Sequence, residues 1–263
     1  MTKQDFLKTI PGIKSLSVIF AQTTRMPMVF CHEETMDDYI YIYLKEEEAV
    51  EKAKALCAEK QPAVAVNCKE KEVLPFLAQL RLMGVNAVNF VLPEDQGGDA
   101  FMVQLTEFLQ YPDYESMPAE KRPVENASLQ LSMLYFMQEV RRPVAMEEKK
   151  NLAALEEETS ANIVKTGFLV PIKEAEAGEG IDKRAVMMLK NDKEEVFFPL
   201  FTDAVQLSKF MRGQKCQVLC LRFEVVAGML KKGNAAGIAI NPATSNVTLT
   251  KAGVASLEKR FLQ

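Results

Sequence analysis

Val196-Phe197-Phe198-Pro199-Leu200-Phe201-Thr202-Asp203 is an apolar run that passes without a break into Ala204-Val205-Gln206-Leu207-Ser208-Lys209-Phe210-Met211. It reads as a buried strand leading straight into a capped helix. A strand followed at once by a helix has to lie in a sheet with that helix packed back on one face. The passage also anchors an internal repeat. The second half gives strands over 167–174, 184–190 and 195–202, a helix over 203–213, a strand over 216–223, a helix over 224–232, a strand over 235–240 and a terminal helix over 251–262. Val247-Thr248-Leu249 adds a short strand before that helix, and Ala177-Gly178-Glu179-Gly180 marks a turn between the first two strands.

The first half gives the same order. Strands are expected over 15–22, 27–32 and 39–44, a helix over 46–59, a strand over 62–67, a helix over 70–83 stopped by Gly84, a strand over 86–93 and a helix over 100–110. Ala204-Val205 follows Ala49-Val50, and Val218-Leu219-Cys220-Leu221 follows Ala63-Val64-Ala65-Val66, both at a shift of 155; Ile240-Asn241-Pro242 follows Val91-Leu92-Pro93 at 149. The predicted fold class is therefore α/β of the mixed α+β kind, built from two similar β-β-β-α-β-α-β-α units, each a mixed sheet with helices packed on it. Residues 1–115 form the first unit and 166–263 the second. Between them, 116–165 is a helical connector with helices over 124–140 and 146–164, the first ended by Pro143.

Charge and composition narrow the function classes. A net charge of −4 over 263 residues, with Lys and Arg dispersed, leaves no basic face for nucleic acid and no polybasic patch for a membrane surface. No apolar run reaches the roughly 20 residues that span a bilayer, and the charged start Met1-Thr2-Lys3-Gln4-Asp5-Phe6 lacks a signal-peptide pattern. A cytoplasmic protein is expected. Five cysteines without regular spacing are not a disulfide framework and read as reduced.

Phe198-Pro199-Leu200-Phe201-Thr202-Asp203, the helix carrying Leu207 and Phe210, and Gly237-Ile238-Ala239-Ile240-Asn241-Pro242 together resemble the SseB family, named for enhanced serine sensitivity, over about residues 145–262. Its N-terminal domain has a strand ending in a Phe-Thr-Asp-like tripeptide and a later strand ending in Asn-Pro. The first half departs from this pattern: Leu44-Lys45-Glu46 stands for Phe-Thr-Asp, and Val91-Leu92-Pro93 lacks the Asn. The resemblance implies no established reaction.

Two readings of the residues themselves stay open. Asp203 is placed as a helix N-cap with Gln206 in capping-box position, and Asn241-Pro242 as a turn. Alternatively, if strands 195–202, 216–223 and 235–240 run parallel, Thr202, Asp203, Arg222 and Asn241 gather at their carboxyl ends, where open α/β sheets bind ligands. His32 is the only histidine, so a Ser/His/Asp or Cys/His site would need it. Cys31-His32-Glu33-Glu34 with Asp37-Asp38 reads as a solvated acidic turn, because neighbours on a strand point to opposite faces. No nucleophile elbow, phosphate-cradling glycine loop or Cys-x-x-Cys pair occurs, so neither cofactor nor metal is expected. The helix 124–140, with Leu129, Met133, Phe136, Met137 and Val140 on one face, is either core or a partner-binding face. The expectation is a non-catalytic binding or regulatory protein, with a protein partner or small polar ligand, no nucleic acid, no membrane and a possible homodimer. The alternatives are an enzyme with an Asp203/Arg222/Asn241 cleft and a module for self-association.

Overall fold

The computed structural model describes residues 2–114, 116–118, 121–173 and 186–262. The expected turn at Ala177-Gly178-Glu179-Gly180 and the first residues of the expected strand 184–190 lie outside the described residues. The chain divides into two compact units, Met1–Ser116 with Leu134–Leu152, and Met117–Met133 with Ala153–Gln263. The helical stretch 116–165 is thus shared between them.

In the first unit, helix α1 (Lys3–Thr9) precedes strands β1 (Ser15–Ala21), β2 (Met26–Pro27), β3 (Phe30–Cys31) and β4 (Asp38–Tyr43). Helix α2 (Glu46–Ala58), β5 (Ala63–Lys69), α3 (Glu70–Gln79), β6 (Ala87–Val91) and β7 (Ala100–Gln104) follow. The main order is β5-β1-β4-β6-β7, with β4 and β6 parallel and the other neighbours antiparallel. Alternation sets the faces. Ile40 and Ile42 are fully buried on one side of β4, while Tyr43 on the other joins Ala53 and Leu56 of α2 and Ala63 of β5.

The second unit contains β8 (Gly167–Ile172), β9 (Leu189–Lys190), β10 (Val196–Leu200), α6 (Ala204–Met211), β11 (Gln217–Arg222), α7 (Phe223–Lys232), β12 (Gly237–Ile240), β13 (Val247–Thr250) and α8 (Lys251–Phe261). Two helices precede these strands: α4 (Ala127–Val140), whose first residues belong to this unit, and α5 (Leu152–Lys165). β10 pairs β12 in parallel, β12 pairs β13 antiparallel, and β11 pairs β8 antiparallel. Reciprocal backbone hydrogen bonds between Leu169 and Phe201 tie β8 to the end of β10. The resulting path, β11-β8-β10-β12-β13, has the same relative strand directions as β5-β1-β4-β6-β7 of the first unit, and β9 also pairs β10. Gly237 is fixed by close approach: a Cβ there would lie 2.0 Å from the Leu249 carbonyl oxygen.

The mixed α/β class is as the sequence indicates, with one correction inside it. The expected helix 100–110 is instead strand β7 and a short 3-10 turn over Leu105–Glu107. Phe101, Val103 and Leu105 alternate; Val103 and Leu105 are buried and Phe101 stacks on Phe6 at 5.7 Å. Pairing with β6 fixes this period of two, so the first unit ends on a strand where a helix was expected. Helix α4 uses Leu129, Met133, Leu134 and Met137 as core. Lys149 Nζ donates to the carbonyls of Glu139, Val140 and Arg142 at its end, which lack intrahelical partners. Among the described residues, no helix is long and apolar enough to cross a membrane.

A sealed polar cluster at the carboxyl edge of the second sheet

The candidate site is built where β10 turns into α6. Asp203 is the N-cap, with extended backbone, and its Oδ1 accepts from the Gln206 backbone N–H at 2.9 Å. Thr202 Oγ1 donates to Asp203 Oδ2 at 2.8 Å. The parallel partner β12 brings in Asn241, whose backbone sits in the left-handed region at φ 49°, a conformation asparagine tolerates better than most residues. Its backbone N–H donates to the Leu200 carbonyl. Its side chain then faces back: Oδ1 accepts from the Thr202 N–H at 3.1 Å, and Nδ2 donates to Thr202 Oγ1 at 2.9 Å and to Gln130 Oε1 at 2.6 Å. Gln130 comes from α4. Asn126, just before that helix, donates to the carbonyls of Thr202 and Gly167, and Thr244 Oγ1 donates to Gln206 Oε1 at 2.6 Å.

Thr202, Asp203 and Asn241 are therefore brought together, at 0%, 2% and 1% exposure. Gln130 is equally closed off at 0%. The oxygens of Asp203 are turned to protein donors, away from solvent. Arg222 stands apart. It is exposed and is the N-cap of α7, without a side-chain cap bond. β11 does run in the same direction as β10, because each is antiparallel to β8. But β8 lies between them, which separates Arg222 from the cluster by two strand spacings, about 10 Å. Three buried polar side-chain atoms in this unit, Gln130 Nε2, Thr159 Oγ1 and Ser245 Oγ, have no hydrogen-bond partner among the described residues. Gln130, Asn126 and Thr244 are the members that sequence reasoning missed; Gln130 precedes Asn241 by 111 residues.

In the first unit, the corresponding strand end leads to Lys45, the N-cap of α2, which makes no side-chain cap bond. Three glutamates in the first helical turn, Glu46, Glu47 and Glu48, oppose the positive end of the helix dipole there. A polar cleft of about 140 Å3 lies elsewhere in this unit, lined among others by Thr23, Gln61, Gln138, Glu139, Arg142 and Lys150. Burial alone would raise the Glu139 carboxyl. Hydrogen bonds from the Arg142 guanidinium and the Lys150 N–H outweigh it and hold the group below its ordinary range. The acidic turn is held by its own bonds. His32 Nδ1 accepts from the Thr35 N–H, and Asp37 is kept low by hydrogen bonds from Gln104, Thr35 and Asn86. Among the described residues, no group of His, Cys, Asp and Glu side chains is arranged to hold a metal ion.

Residues 145–256 match the family model described as the SseB protein N-terminal domain. No curated protein is significantly similar to the chain in sequence. Two solved structures align with most of its length. Tic22 from Plasmodium falciparum is 13% identical, covering 84% of each chain, with a TM-score of 0.22. Anabaena Tic22, described with protein transport, is 10% identical over 89% of this chain and 88% of that one, with a TM-score of 0.20. At these TM-scores the likeness carries no argument about fold or function.

Proposed function

From a chain whose residues 145–256 match the family model of the SseB protein N-terminal domain, we propose a non-catalytic binding protein that acts through its surface on a protein partner. The observation that carries this reading is the sealing of the Thr202–Asp203–Asn241 cluster. The residues that give the second unit its family character are turned inward, and their polar atoms bond one another and α4. Such a cluster sets the geometry of a strand–helix junction, whereas general acid–base or ligand chemistry needs a group within hydrogen-bond reach of a substrate. The alternative of an enzyme centred on Asp203, Arg222 and Asn241 loses support on the same ground, with Asp203 a buried cap and Arg222 two strands away. The test is Asp203→Ala in protein whose circular dichroism still shows the native fold. Partner binding is expected to persist in proportion to folded protein. A substrate turnover present in the native protein and abolished in that folded variant would overturn the reading.

A second reading, a small polar ligand, is favoured by the cleft of the first unit. Lys150 and Gln61 are among its lining residues, and their side chains make no hydrogen bond or ion pair among the described residues. Titration with small carboxylates is expected to shift the Gln61 and Gln138 side-chain amide resonances saturably. Flat resonances up to millimolar ligand would remove this reading.

A further inference from the structure

We propose that two copies of this chain pair through β11, edge to edge and antiparallel about Cys220. The inference rests on the reading of the chain as a surface-acting binding protein and names its partner as a second copy. It starts from backbone direction. Leu169 exchanges both its N–H and its C=O with Phe201, so these groups point toward β10 and away from β11. In an antiparallel ladder, residues alternate between bonding one neighbour and the other. The register Leu169↔Cys220 is therefore a non-hydrogen-bonded pair. It follows that Val218, Cys220 and Arg222 direct their backbone groups to the outer edge, where no described residue pairs with them. Pro171, opposite Val218, fits this parity because it has no N–H to give.

The side chains leave the edge open as well. Val218 is 40% and Leu219 37% exposed, Cys220 is exposed, and Val225 at the start of α7 is 49% exposed. An apolar edge of this kind, with no proline or inward charge to blunt it, is a template for another strand. The outward parity limits the symmetric registers. Placing Cys220 opposite its own copy sets Val218 against Arg222 and Leu219 against Leu221 on both sides of the twofold axis. About four backbone hydrogen bonds form, two from the Cys220 pair and one from each Arg222 N–H to the facing Val218 carbonyl. No charge faces a like charge. The interface is small, so the dimer is weak and concentration-dependent.

The test is sedimentation equilibrium of the full chain from about 1 to 100 µM, with copper–phenanthroline oxidation and mapping of any intermolecular disulfide. The expected result is a monomer–dimer equilibrium with a Cys220–Cys220 cross-link, since the Cα separation of a hydrogen-bonded antiparallel pair, about 5.5 Å, suits a disulfide. The exposed Cys31 and Cys57 serve as internal controls. Val218→Pro puts a ring at an outward backbone position that β8 does not use, where the partner strand has to approach, and is expected to weaken the dimer at least tenfold. Leu219→Lys is the second variant should the proline disturb the fold, and it is expected to weaken the dimer to the same degree. A monomer throughout, a cross-link through Cys31 or Cys57, or a dimer unaffected by either variant overturns the proposal. None of these outcomes involves turnover, so failure here is distinct from failure of the binding reading.

Discussion

The two units order their strands alike, β5-β1-β4-β6-β7 and β11-β8-β10-β12-β13, yet they differ at two matched places. After the first crossover strand, the second unit has a buried cap tied to the parallel neighbour through Asn241, where the first has Lys45 and an acidic first turn. The helix that follows has 13 residues in the first unit and eight in the second. The longer α2 lays Ala53 and Leu56 over Ala63 of the edge strand β5; the shorter α6 packs with Leu169, Phe201 and Cys216 and leaves Val218 and Cys220 of β11 bare. The same topology is thus closed at its carboxyl edge and open at its lateral edge in one unit. In the other, α2 covers one face of the edge strand at Ala63, Val64 on the opposite face is 42% exposed, and the helix start carries charge in place of a cap.

The largest expected effect concerns β12. Gly237→Ala places a methyl group 2.0 Å from a backbone carbonyl, and backbone cannot yield as a side chain does. A loss of at least about 3 kcal/mol is expected for the second unit, read as a lower urea midpoint of its transition. Survival of that midpoint would mean that the β12–β13 approach is looser than described.

Next comes the cap comparison itself. Asp203→Ala removes the acceptor for both Gln206 N–H and Thr202 Oγ1 and is expected to cost about 2 kcal/mol. Lys45→Ala in the matched position removes no cap bond and is expected to stay within about 0.5 kcal/mol. Equal losses would break the comparison. In the first unit, Tyr135 Oη donates to Asp38 Oδ1 at 2.6 Å, and both burial and that carboxylate push the phenol upward. Tyr135→Phe is expected to cost about 1.5 kcal/mol by chemical denaturation, which sharpens the contrast by locating a polar anchor of the first unit away from its helix cap.

The smallest effect is a pH dependence. Because the folded Glu139 carboxyl is held below its ordinary value of 4.5, the unfolded chain takes up the proton first. Its stabilisation is full above about pH 4.5 and fades as the pH falls through the lower folded value. Glu139→Gln is expected to flatten that part of the stability profile, and an unchanged acid limb would exclude this group as a source.

Much of this was legible in residue types. Asp203 three residues before Gln206, at the end of an apolar run, is a cap signal, and it is a cap. The β-branched and aromatic strands and the stop at Gly84, with φ 82°, were readable in the same way. The expected helix over 100–110 failed because Phe101, Val103 and Leu105 satisfy a period of two once β6 is available to pair, and isolated windows do not contain that partner. Likewise, nothing local says that Asn241 bonds a glutamine 111 residues earlier. Arg222 was grouped with Asp203 because both end strands of one direction; the strand between them is fixed by sheet order, which spacing does not encode.

The most direct measurement of the central claim, that the buried Thr202–Asp203–Asn241 cluster is a closed lock, is native-state hydrogen exchange at the amides of Thr202 and Gln206. These N–H groups donate to Asn241 Oδ1 and Asp203 Oδ1. A lock requires that they exchange only through global opening of the second unit, with the protection of its β12 core amides and the same denaturant dependence. Exchange at rates near those of an unstructured chain, or through a local opening insensitive to denaturant, would show an accessible edge and contradict it.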